Sequence, residues 1–151
     1  MTRRIALLGL ALVTGSCYAD RGRPSPTETE QPVSLSVQLL DPPNGQAVLA
    51  AHTINVAVLG RDLRGDGLRG VGFVARRIGT NGVVTTLDSA AVRPDTASRS
   101  LQQEFAFAVP DLPDNTQVDV IGIAYGPGTL TRLSEISSLI VVQCQPGFPG
   151  C

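Results

Sequence analysis

From residue 33 onward, apolar side chains recur at alternate positions in short runs broken by turn-forming residues. Val33, Leu35, Val37 and Leu39 fall on one face while Ser34, Ser36 and Gln38 fall on the other. That period of two marks a half-buried strand. Asp41-Pro-Pro-Asn-Gly45 ends it with proline and a tight turn. Thr53 to Leu59 repeats the pattern with Ile54, Val56 and Val58 inward, and the glycine-rich, charged stretch from Arg61 to Gly70 reads as a connector. Val71 to Ile78 places Val71, Phe73 and Ala75 on one side, and Asn81-Gly82 predicts a hairpin into Val83 to Leu87. Asp88 to Ser100 reads as a loop around Arg93-Pro94-Asp95. Leu101 to Val109 alternates most clearly, with Leu101, Phe105, Phe107 and Val109 inward against Gln102 and Glu104. Gln117 to Tyr125 is apolar on both faces, which predicts a central strand. Glu135 to Gln143 closes the series. No window shows a clean helical period, so the prediction is all-β: one antiparallel sandwich of about seven strands over residues 33–143.

The first seventeen residues follow another pattern. Arg3 and Arg4 precede the unbroken apolar run Ile5 to Val13, then Thr14-Gly15-Ser16 leads to Cys17. Charge, apolar run and small residues in that order predict a secretory signal peptide. The run is well short of the roughly 20 residues that cross a bilayer. A cysteine directly after small residues resembles the lipobox of bacterial lipoproteins, although Thr14 stands where such families usually carry Leu. That resemblance implies a lipidated Cys17 as the mature N-terminus, with an anchor of more than one acyl chain. Cys17-Tyr18-Ala19 offers the rival reading, ordinary cleavage before Asp20. Tyr18 to Pro32 is polar, proline-containing and aperiodic, the composition of a disordered tether. The expected organisation is a lipoprotein-type leader over 1–16, a tether over 17–32, the sandwich over 33–143 and a tail over 144–151.

Charge and composition narrow the role. All 12 basic residues of the 151 are arginine, and without Arg3 and Arg4 the chain holds 10 of them against 13 acids. A nucleic-acid partner needs a net basic footprint, so that class is set aside. Aromatic residues make up 4% with no tryptophan, and the core must therefore come from Val, Ile, Leu and Ala. With Cys17 assigned to lipidation, Cys144 and Cys151 remain as an even pair in an exported, oxidising setting. They bracket Gln145-Pro-Gly-Phe-Pro-Gly150, and a disulfide closing so short a loop is worth on the order of 2 kcal/mol.

The order of elements resembles a bacterial immunoglobulin-like domain. The features that carry the resemblance are Asp41-Pro-Pro-Asn-Gly-Gln-Ala-Val48, the strand Ile54-Asn-Val-Ala-Val58 and Asp62 in the next loop. Gly70-Val71-Gly72-Phe73 and the late strand Val118-Asp-Val-Ile-Gly-Ile-Ala124 complete the set. The chain departs from some relatives in having no buried tryptophan, no inter-sheet disulfide, and Val118 where a tyrosine corner would sit. The resemblance implies an adhesion, carbohydrate-contact or spacer module, and fold alone does not choose among them.

No residue set specifies a reaction. His52 is the only histidine and sits at a strand entry with no nucleophile or metal set placed beside it, so a strand-end role is expected. Asp62 and Asp66, with Asp111 and Asp114, are weak calcium candidates, since turn chemistry accounts for aspartates at such positions. Arg64-Gly65-Asp66 is an integrin-type tripeptide that chance explains. Arg61, Arg64, Arg69, Arg76 and Arg77 concentrate in one region, read as a solvated rim diluted by Asp62 and Asp66. The expectation is a non-catalytic envelope lipoprotein without cofactor, acting as a binding, adhesion or structural module toward a protein or glycan partner. Its place is the membrane, the outer one if the host has one, because Tyr18 is not the retaining aspartate of enteric lipoproteins. The competing expectations are a secreted, unanchored binding or inhibitor-like domain and, lower, a small hydrolase.

Overall fold

The computed structural model describes residues 35–65 and 67–144. The leader, Cys17, the tether, Asp66 and Cys151 lie outside the described residues, as does Val33.

Eight strands form two sheets. They are β1 (Leu35–Asp41), β2 (Ala47–Leu49), β3 (Thr53–Asp62), β4 (Gly70–Ile78), β5 (Val84–Val92), β6 (Ser100–Ala108), β7 (Thr116–Tyr125) and β8 (Thr131–Val142). One sheet has the order β1-β3-β6 and the other β2-β8-β7-β4-β5. All pairings are antiparallel except β2 with β8, which is parallel over Ala47 to Leu49. This is the expected immunoglobulin-like sandwich, with eight strands in place of seven and one parallel contact. Among the described residues there is no helix.

Alternation explains the core. Val56 and Val58 from β3 and Phe107 from β6 meet Val71, Phe73 and Ala75 from β4 and Val118 and Val120 from β7, all at most 1% exposed. The inward positions expected on these strands are therefore the buried ones. Phe73 ties the layers together, since its ring lies 5.4 Å from Phe105 and 6.1 Å from Phe107 across the sandwich. β7 runs between β8 and β4, and its central residues Val118 to Gly122 are buried on both faces, as its composition implied.

Three boundaries differ from the reading of the sequence. β2 is only three residues long, too short to show a period. β5 continues through Asp88 to Val92, where a loop was expected, because those residues pair with Val71 to Ala75. As an edge strand exposed along most of its length, it has no alternation to read. Its approach to β4 depends on Gly72, where a Cβ would fall 2.5 Å from the Ala90 carbonyl oxygen. β8 begins at Thr131 rather than Glu135, and its first residues, Leu133 among them, are exposed. Its register with β7 shifts between Ile121 and Ile123, where the Gly122 N–H donates to Ser134 Oγ at 2.8 Å.

The connector after β3 is partly core. Leu68 is fully buried, folded over Gly60, and its backbone pairs with Ser98. The Asp41-Pro-Pro-Asn-Gly45 crossing is stapled to β8 by Gly45 N–H to the Ser138 carbonyl, by Ser138 N–H to Asn44 Oδ1 and by Ser137 Oγ to the Pro42 carbonyl.

Candidate functional site

Of the aspartates considered for calcium, Asp62, Asp111 and Asp114 are engaged by the fold, and Asp66 lies outside the described residues. Asp62 is buried at the end of β3; its Oδ1 accepts from Arg64 N–H at 3.0 Å and its Oδ2 from Gly67 N–H. The Arg64 and Gly67 backbone bonds hold its carboxyl below the ordinary 3.8; Gly65 N–H and the Arg99 charge add to the lowering, and burial opposes it. Asp62 thus shapes its own loop. Asp111 and Asp114 lie elsewhere, in the turn before β7. Both hold Gln143, through Asp111 Oδ1 to its side chain at 3.2 Å and Asp114 Oδ1 to its N–H at 3.0 Å. Among the described residues no group of three or more His, Cys, Asp or Glu is placed to hold a metal ion.

His52 is exposed, and its Nδ1 lies 2.9 Å from the Ala50 carbonyl, so that nitrogen donates locally. The arginine-rich stretch does not form one patch. Arg61 is on β3 in the three-stranded sheet, while Arg69 and Arg76-Arg77 sit at opposite ends of β4. Arg76 Nε lies 3.9 Å from Asp119 Oδ2 on the outer face of the five-stranded sheet, and Asp119 Oδ1 accepts from Gln117 and Ser138. That network is the one ion pair among the described residues.

Of the depressions among the described residues two matter here, a third of about 280 Å³ at Ile78, Gln117 and Asp119 being smaller. A groove of about 600 Å³ runs between β1 and β8 beside the Pro42-Pro43-Asn44 crossing. Three of its polar side chains, Asn44, Ser134 and Ser137, bond to the backbone that forms it, and Gln38 and Glu135 also line it. The second, about 470 Å³, lies at the start of β8 between the β7–β8 loop, Arg69 and Arg93.

That cleft is built by register. Gly70 pairs with Tyr125, and Tyr125 pairs in turn with Thr131. At Gly70 a Cβ would lie 2.9 Å from Arg93 Cγ and 2.5 Å from the Val92 carbonyl oxygen. The missing side chain lets the Arg93 stem cross β4, and its guanidinium carbon rests 4.6 Å from the centre of the Tyr125 ring. Arg69 N–H donates to the Tyr125 carbonyl at 2.7 Å, which fixes the neighbouring arginine at the same rim. Gly126 N–H donates to the Leu130 carbonyl and Leu130 N–H to the Pro127 carbonyl, closing the loop as a tight turn. Neither guanidinium has a hydrogen-bond or ion-pair partner among the described residues, and no carboxylate lines the cleft. Sequence reading had placed Arg69 among the basic residues but had not singled out Arg93 or Tyr125.

The class these features define is the immunoglobulin-like β-sandwich with a three-plus-five sheet arrangement. The fold of the fibronectin(III)-like modules of Clostridium thermocellum CbhA is similar, at TM-score 0.50 and 16% identity over 79% of this chain and 52% of that one. Spo0M, the sporulation control protein of Bacillus subtilis, matches at TM-score 0.47 and 14% identity over 72% of this chain and 49% of that one. The CARDB domain of a Pyrococcus furiosus protein matches at TM-score 0.44 and 9% identity, covering 73% of this chain and 92% of that one. This chain spans about half the length of the CbhA and Spo0M structures. No family model and no curated protein matches the sequence.

Proposed function

We propose that the chain is a non-catalytic module of the bacterial cell envelope, anchored by lipid on Cys17, whose sandwich binds a partner through the loops at one end. The observation that carries the binding role is the cleft at Arg69, Arg93 and Tyr125, where two guanidiniums have no hydrogen-bond or ion-pair partner among the described residues. Loops held by a sandwich are where such domains put recognition. The anchor rests on the leader pattern and on the cysteine after Thr14-Gly15-Ser16. A tether of the composition of residues 18–32 would hold the domain away from the lipid surface. In the same reading Cys144 and Cys151 are bridged and tie the tail down behind Gln143, and the anchor faces the outer membrane where one exists. The second reading, a secreted domain cut before Asp20, is favoured by Cys17-Tyr18-Ala19.

The deciding experiment is the intact mass of the mature protein from its host's envelope fraction, before and after reduction. A mass starting at Cys17 with added acyl chains supports the anchored module, and a gain of about two hydrogens on reduction supports the bridge. A lipid-free mass starting at Asp20 overturns the anchor.

A further inference from the structure

We propose that the cleft at the β7–β8 end is a binding site for a carboxylate-bearing sugar, an acidic residue of a glycan, held by the guanidinium groups of Arg69 and Arg93. This rests on the reading of the domain as a binding module and names the chemistry of its site. The Arg93 guanidinium carbon rests 4.6 Å from the centre of the Tyr125 ring, a cation–π contact that spends none of its N–H donors. A planar fork held that way matches a carboxylate with two parallel hydrogen bonds, at little further loss of side-chain freedom. Arg69, which lines the same cleft, adds a second charge. The cleft volume of about 470 Å³ lies in the range of small-ligand sites.

The rest of the lining bears on which anion would fit. Peptide C-termini and bare phosphate are commonly captured by successive backbone N–H groups. Here the N–H groups of Gly126, Leu130 and Arg69 are already spent on the carbonyls of Leu130, Pro127 and Tyr125. What the lining then offers a ligand is chiefly side-chain chemistry, two guanidiniums and the side chains of Thr129 and Thr131 beside apolar Leu130 and Pro127, together with the Gly128 and Thr129 N–H groups of the turn. Several dispersed hydroxyl contacts around one charged anchor suit a carboxylated sugar ring, which carries hydroxyls on most of its carbons.

The test is calorimetric titration of the full mature chain with a trimer of galacturonic acid. Its methyl ester, inorganic phosphate and trialanine with a free C-terminus serve as the comparison probes. The acid trimer is expected to bind, and the ester to bind at least about tenfold more weakly. Arg69→Gln and Arg93→Gln should each weaken binding of the acid by about tenfold or more, the usual loss for a hydrogen bond to a charged group. Both side chains are exposed, so the thermal midpoint of each variant should stay near that of the parent and show that the fold is intact. Equal affinity for acid and ester overturns the proposal, as does binding that survives both substitutions or the absence of binding to the acid trimer. Phosphate or trialanine displacing the trimer at lower concentration also overturns it, in favour of an anion or peptide site. Failure here leaves the envelope reading standing, because the intact mass tests the anchor independently.

Discussion

Removing the ring of Phe73 should reveal how strongly the two sheets are joined. Phe73 is 1% exposed on β4, and its ring sits 5.4 Å from Phe105 at 49° and 6.1 Å from Phe107 at 56°, both on β6 of the opposite sheet. Such tilted pairs contribute about 0.5–1.5 kcal/mol each beyond buried area. Phe73→Leu keeps most of the volume, so the loss combines two ring contacts with a shape change costing under about 1.5 kcal/mol. The expected total is about 2–3 kcal/mol, against about 3–5 kcal/mol for Phe73→Ala, which also opens a cavity. For a domain of this size each kcal/mol moves the melting midpoint by roughly 4 °C, giving a fall of about 8–12 °C for the leucine variant. Urea unfolding followed by far-ultraviolet circular dichroism supplies the free energies, since the chain has no tryptophan. The decisive quantity is the cycle with Phe107→Leu. A coupling of about 0.5–1.5 kcal/mol is expected if the rings touch across the sandwich. Additive losses, with coupling below about 0.3 kcal/mol, would refute the claim that this aromatic cluster bridges the layers.

Two further outcomes follow from the loops. The Asp62 carboxyl is held below its ordinary 3.8 by backbone N–H donors. Its stabilisation is therefore present above the unfolded-state value and is lost as pH falls through the lower folded one. Asp62→Asn should be less stable than the parent at neutral pH, with the difference shrinking below about pH 4; a gap independent of pH would contradict the assignment. Ala51 has φ 57°, a left-handed conformation that its Cβ disfavours. Ala51→Gly should raise stability by about 0.5 kcal/mol after allowing for the freer unfolded chain, and a loss measured in the same urea titration would mean that the strain is absent.

What could be read along the chain was what repeats locally. β4 and β6 each turn alternate side chains against a second layer, so burial wrote its period into Val71-Gly-Phe-Val-Ala75 and into Phe105-Ala-Phe107, while β7, buried on both faces at its centre, is apolar from Val120 to Ala124. β5 escaped because an edge strand with both faces largely exposed is under no such constraint, and its Ala90-Ala91 pair matters for being small opposite Gly72. The cleft escaped for a different reason. Arg93 directly follows β5 and Tyr125 ends β7, strands that never touch each other; β4 lies between them, and the two side chains meet only because Gly70 has none. An arginine beside a proline and a tyrosine before a Gly-Pro turn look unremarkable in sequence, and no motif links them. The signal that does exist is the glycine. A Gly at the first position of a strand, flanked by an arginine and followed by core residues, marks a place where something crosses the sheet closely. Gly70 was visible in the sequence, while what crosses it depends on the Gly70–Tyr125 and Val71–Val92 registers. Register is set by the whole hydrophobic pattern of both sheets acting together. The recognition chemistry of such a sandwich therefore becomes readable only after the core has aligned its strands.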